Sequence, residues 1–313
     1  MALVIVGAVL YLALSSGGTA TPSRTASSTT AASPGGATNS STSAPSLEAG
    51  TEPWQLAAPL SRETVTTDHN QLRILGGLVP SGASVSTVTS LDPSTGAFTS
   101  LGSLAAAVHD GGGTTIGTSS FVFGGGSPNT FATVQSFNTA AATPTVPGHG
   151  QVVSQLPQPR SDLTVVPITT NGAHPSTTAY IVGGYDGGTN YLAPVLATSD
   201  GIHFTEAAKL PVPVRYPAAA ALDGKIYAFG GETAESGSTV TATDAIQEID
   251  PSTQSAKVVG KLPQPLYGAS AFVIDNHLYV AGGQTGPRQT LTQLYEFDAN
   301  SHKLSDAGLL PQA

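Results

Sequence analysis

Apolar and polar residues alternate along most of this chain on the short period of β-strands, broken repeatedly by turn-forming clusters. After residue 50, four signals recur in fixed order with a period of about fifty residues, the mark of a repeat architecture. A leucine, usually followed by proline, comes first: Leu60, Leu104, Leu156-Pro157, Leu210-Pro211, Leu262-Pro263 and Leu310-Pro311. Next is an apolar strand ending in paired glycines: RILGG (Gly76, Gly77), FVFGG (Gly124, Gly125), AYIVGG (Gly183, Gly184), KIYAFGG (Gly230, Gly231) and HLYVAGG (Gly282, Gly283). Third is a short strand closing on an Asp, Asn or Ser turn: VTSLDPSTG, VQSFNTA, VLATSDG, IQEIDPSTQ and LYEFDANS. A last strand, marked by Phe98 and Phe204, leads into the next leucine.

Each unit reads as a four-stranded antiparallel meander. Asp223-Gly224 and Asp275-Asn276 supply tight turns between the first two strands, and Asp250-Pro251-Ser252-Thr253 the turn between the last two. The glycine pairs fall where a side chain would collide with a neighbouring blade. One such sheet cannot bury both faces alone, so the expected fold is all-β: a β-propeller of four-stranded antiparallel blades around a central channel.

The repeated double glycine with its downstream apolar pair and Asp or Asn resembles the kelch repeat, over residues 51–313. The resemblance implies a propeller related to kelch and galactose-oxidase central domains. The chain departs from the pattern where Phe98, Phe204, Lys257-Val258 or Lys303-Leu304 replace the usual fourth-strand tryptophan. Ala140–Gln155 and Pro167–Ser176 read as insertions. Five complete blades are visible. Trp54 to Leu60 resembles the fourth strand of a further blade, so the expected parent has six blades (alternative: seven) and a missing C-terminal end. A true five-bladed ring with an extra strand is the other possibility.

The N-terminus is different. Ala2 to Leu14 is apolar and uncharged, but shorter than the ~20 residues that span a bilayer. Residues 1–16 are expected to be a signal peptide or the outer part of an anchor, the recorded start lying downstream of a basic segment. Residues 17–50, almost all Ser, Thr, Ala, Gly and Pro, are expected to form a disordered stalk. The propeller, 51–313, is then secreted or membrane-anchored outside the cytoplasmic membrane.

Composition narrows the chemistry. A net charge of −9 offers no basic surface for nucleic acid, and leaves membrane contact to the N-terminal segment. The absence of cysteine removes disulfides, thiolate catalysis and the Cys–Tyr cofactor of galactose oxidase, and suits a bacterial exported protein. The seven histidines (His69, His109, His149, His174, His203, His277, His302) show no metal-ligand spacing and are expected on solvated surface, so no metal or cofactor is expected. Ser199-Asp200-Gly201-Ile202-His203-Phe204 reads as a hairpin turn with a packing phenylalanine. Glu232 and Glu235 form an acidic loop without a catalytic partner.

The loops after each double glycine share a face with the loops joining blades, and candidate ligand contacts lie there: Arg62, Arg160, Arg215, Tyr185, Asp186, Tyr216 and Tyr267. The three arginines stand at matching blade positions. They could form a ring gripping a carboxylate or phosphate, or could close inter-blade turns on backbone carbonyls. The expected function is a monomeric extracytoplasmic module that binds a protein or glycan, without identified catalytic chemistry. The alternative is a sugar-processing enzyme similar to N-acetylneuraminate epimerase.

Overall fold

A computed structural model describes residues 2–5, 8–14, 47–140, 147–170, 175–234 and 239–312. Most of the stalk expected over 17–50, together with His174 and Glu235, lies outside the described residues. Among them there is no helix, and five four-stranded antiparallel sheets follow one another as blades. Blade one is Thr64–Asp68, Gln71–Leu75, Thr87–Asp92 and Ala97–Ser103. Blade two is Gly112–Ile116, Ser119–Phe123, Thr133–Asn138 and Gln151–Gln155. Blade three is Thr164–Thr170, Ser176–Val182, Pro194–Thr198 and Thr205–Lys209. Blade four is Ala218–Leu222, Lys225–Phe229, Ala245–Asp250 and Ser255–Lys261. Blade five is Ser270–Ile274, His277–Ala281, Gln293–Asp298 and Lys303–Leu309. The fold is the expected propeller.

The core lies between blades, which is why strands alternate yet are apolar on both faces. Blade four directs Ile226, Ala228 and Ile249 towards Val166, Val182 and Val195 of blade three. Its intervening residues Tyr227, Phe229 and Ile246 pack on Leu278, Val280 and Phe297 of blade five. The glycine pairs make this stacking possible. Gly124 has φ +61°, and a Cβ there would fall 2.0 Å from the carbonyl oxygen of Arg160 in the next inter-blade loop. The N–H of Gly125 donates to that same oxygen at 2.8 Å, and Gly77, Gly184 and Gly231 repeat the bond at the same distance to Val108, Val214 and Leu266.

Three sequence expectations change. Gln151–Gln155 is the outer strand of blade two, and among the described residues before it Gly148–His149 is an added strand, pairing parallel with the outer strand of blade one. The described ends of Pro167–Ser176 extend the first hairpin of blade three, with Pro167 opposite Ala179 and Thr170 opposite Ser176. Trp54 is not in a strand. Its ring meets Phe98 edge-on at 6.1 Å, and with Leu56 and Leu60 it covers Leu72, Ile74 and Leu91 of blade one. Ala2–Ile5, Ala8–Leu14 and Leu47–Thr51 pair as a separate three-stranded sheet, its last strand lying beside Lys303–Leu309. No described helix is long and apolar enough to cross a membrane.

Candidate functional site

Two residues before each innermost strand, the chain makes the same abrupt turn. Arg62, Asp110, Asp162, Tyr216 and Gly268 occupy it in blades one to five, all left-handed, with φ of 57°, 55°, 60°, 52° and 65°. Each is tied to its predecessor by a peptide hydrogen bond. Asp110 N–H donates to Arg62 at 3.0 Å, Asp162 to Asp110 at 2.9 Å, Tyr216 to Asp162 at 2.8 Å and Gly268 to Tyr216 at 3.0 Å. The five residues therefore form a backbone arc at the channel entrance. Gly268 suits this conformation; a side-chain-bearing residue there costs roughly 1–2 kcal/mol. Four blades place a side chain there despite that cost, and those four side chains converge. Strain at a shared centre is a pointer to function.

The convergence is polar. Arg62 Nη1 donates to Asp110 Oδ2 at 2.8 Å. The Asp110 and Asp162 carboxyls influence each other electrostatically, and Asp162 likewise feels the Tyr216 hydroxyl. Burial, reinforced by the Asp110 charge, pushes Asp162 up to about 6. Burial also raises Asp110, against the opposing pull of Arg62, and raises the Tyr216 hydroxyl.

A second tier stands one residue earlier in each loop. Ser61, His109, Ser161, Arg215 and Tyr267 bridge in antiparallel fashion to Leu78, Gly126, Tyr185, Glu232 and Gln284, the residues that follow each glycine pair. Arg215 dominates this tier. Its Nε donates to Glu232 Oε2 at 2.7 Å, its Nη1 lies 3.5 Å from Asp162 Oδ2, and its guanidinium carbon is 5.3, 5.7 and 5.4 Å from the ring centroids of Tyr185, Tyr191 and Tyr216. Such cation–aromatic contacts fix both partners. His109 hydrogen-bonds Ser84 through Nδ1 at 2.8 Å and sits 3.6 Å from Asp110 through Nε2; burial lowers its pKa.

Of the residues expected at a ligand face, Arg62 and Tyr216 form the floor, and Arg215, Tyr185 and Tyr267 the tier above. Arg160 is elsewhere. It is 1% exposed, and its Nη1 donates to the carbonyls of Gly183 and Pro194 at 3.2 and 3.0 Å. Burial alone brings its pKa down to about 10. The three arginines thus stand at successive rather than matching loop positions, and no arginine ring forms; Arg160 closes the turn on backbone carbonyls. Asp186 shapes its own hairpin tip, accepting from Gly188 N–H at 2.8 Å and from the Asn190 side-chain amide at 2.6 Å.

Asp110, Asp162 and the inward setting of His109 were missed from sequence, where His109 was expected on solvated surface. Counting back two residues from each innermost strand, instead of aligning on leucine or proline, brings Arg62, Asp110, Asp162, Tyr216 and Gly268 into register. Glu232 was recognised without its partner, which is Arg215. Among the described residues no group of three or more His, Cys, Asp or Glu is arranged to hold a metal ion.

Comparison with known proteins agrees with this architecture. The kelch motif matches residues 265–303, within blade five and the loop before it. Kelch-like protein 33 of Homo sapiens is 32% identical over 83 residues, 26% of this chain and 15% of that protein. The chain therefore spans a small part of that relative. The solved structure of YjhT superposes with a TM-score of 0.66 at 14% identity, covering 84% of this chain and 88% of that one. At such identity the likeness concerns the fold. Five repeated blades with their glycine pairs, together with the matched motif, make this chain a kelch-repeat β-propeller.

Proposed function

We propose that this kelch-repeat propeller is a recognition module that binds its ligand at the channel mouth, over the floor formed by Arg62, Asp110, Asp162 and Tyr216. The observation carrying this reading is the setting of Arg215, held between Glu232 and Asp162 and surrounded by the rings of Tyr185, Tyr191 and Tyr216. Fixed aromatic faces beside ordered polar groups are what a binding site needs if little entropy is to be lost on association. Isothermal titration of the full chain against ligands recovered from a glycan array and an extracellular protein library tests it. Arg215→Ala should weaken binding at least tenfold. A ligand bound equally well by wild type and Arg215→Ala would move the site elsewhere.

A second reading, a sugar-processing enzyme similar to N-acetylneuraminate epimerase, draws on the Asp110–Asp162 pair. A carboxyl held near 6 beside a second one is poised to give and take protons near neutrality. Anomer exchange of sugars followed by NMR separates the readings: acceleration by wild type, abolished in Asp162→Asn, would favour the enzyme.

The placement proposed for the propeller is outside the cytoplasmic membrane, carried by the apolar segment Ala2 to Leu14 and the Ser/Thr-rich segment after it. Protease accessibility on intact cells producing the full-length protein tests this. Protection of the propeller until lysis would refute it.

A further inference from the structure

We infer that the ligand taken at this mouth is an uncharged, hydroxyl-rich sugar, and that Glu232 and Asp110 set the choice by occupying the two arginines that could hold an anion. The inference rests on the binding reading above and goes on to name the ligand class. Its basis is the pairing of charges in the site. Arg62 is engaged by Asp110 at 2.8 Å, and Arg215 by Glu232 at 2.7 Å with Asp162 at 3.5 Å. Three carboxyls thus face two guanidiniums. An incoming carboxylate or phosphate would have to displace a carboxylate already bonded or add a further negative charge beside them; neither is favourable in a partly desolvated site.

Sugar hydroxyls meet no such conflict, because each can both donate and accept. Carboxylate oxygens offer acceptors, while guanidinium N–H groups and tyrosine hydroxyls other than that of Tyr185, which donates to the Gly188 carbonyl, offer donors. Tyr185 and Tyr191, with ring centroids 5.9 Å apart, add aromatic surface for the apolar C–H face of a pyranose.

The test is calorimetric titration of the full chain at pH 7 with neutral sugars (glucose, galactose, mannose, N-acetylglucosamine) and acidic ones (glucuronate, N-acetylneuraminate). Wild type should bind at least one neutral sugar, with the acidic sugars at least tenfold weaker. Glu232→Gln releases Arg215, and Asp110→Asn releases Arg62; each should shift the acidic-to-neutral preference at least tenfold towards acid. Melting curves confirm that the variants fold, and either variant suffices if the other does not. A wild-type preference for acidic sugars, or a ratio unmoved in a folded variant, overturns the inference. Silence towards both sugar classes also overturns it. In that event an Arg215-dependent protein ligand would leave the binding reading standing.

Discussion

The peptide N–H of Asp162 donates to the carbonyl of Asp110 at 2.9 Å, and the same step between blades two and three brings their two carboxyls together at the channel floor. Backbone attraction thus enforces side-chain repulsion. The folded protein answers by holding a proton on Asp162 more tightly than the unfolded chain does, up to about 6.

That difference has a sign. A carboxyl whose pKa is raised by folding stabilises the fold while protonated in both states, and the benefit is lost as pH rises from the unfolded value through about 6. Asp162→Asn should therefore be more stable than wild type at pH 8, by on the order of 2 kcal/mol, and should lose that advantage near pH 4. Paired urea melts at the two pH values measure it. A variant less stable at pH 8 would show that the contact with Arg215 outweighs the repulsion from Asp110.

Arg160 gives a contrasting prediction, because its role lies in the turn rather than at the mouth. Arg160→Ala removes a fully buried side chain and leaves the carbonyls of Gly183 and Pro194 without its guanidinium. It should cost about 4 kcal/mol in a denaturant melt. Arg160→Met keeps most of the volume and should cost about half as much. Ligand affinity of either variant, measured below its melting transition, should match wild type within twofold.

Two glycines with the same φ of +61° separate strain from space. Gly117 has nothing within 4 Å of an added Cβ, whereas the Cβ of Gly124 would lie 2.0 Å from the Arg160 carbonyl. Gly117→Ala should cost only the left-handed backbone penalty, about 1 kcal/mol. Gly124→Ala must also push two blades apart and should cost about 3 kcal/mol or more, with a visible loss of cooperativity. Equal midpoints for the two variants would mean that the blades do not pack as described.

Gln247, fully buried in blade four, braces the preceding Leu-Pro loop from both sides. Its Nε2 donates to the Val212 carbonyl at 3.0 Å, and its Oε1 accepts from the Val212 N–H at 2.9 Å. Gln247→Leu leaves both backbone groups without the side chain and should cost about 2 kcal/mol. Native-state hydrogen exchange at Val212 should accelerate. Unchanged exchange there would mean that another group holds this amide.

Much of the fold was legible because its rules are local. KIYAF and HLYVA declare buried strands, and the glycines that follow declare the point where the next blade passes. Blade edges were less legible: Gln151–Gln155 looked like insertion because its residues are largely exposed, as outer strands are. Trp54 looked like strand because its flanking residues fit one, yet Phe98 and Gly96 hold it against blade one.

By itself the sequence determined the propeller, its meander and the face on which the loops gather, since these follow from apolar period, turn chemistry and glycine positions within a few residues. Only the tertiary structure decided which side chains meet. Arg62, Asp110, Asp162 and Tyr216 are separated in sequence by whole blades and are of three different residue types. They become neighbours because each left-handed turn is hydrogen-bonded to the one before it around the channel. A shift of one or two residues in the alignment decides whether an arginine stands at the floor, above it or, like Arg160, buried in the turn, and that register is fixed by packing between blades.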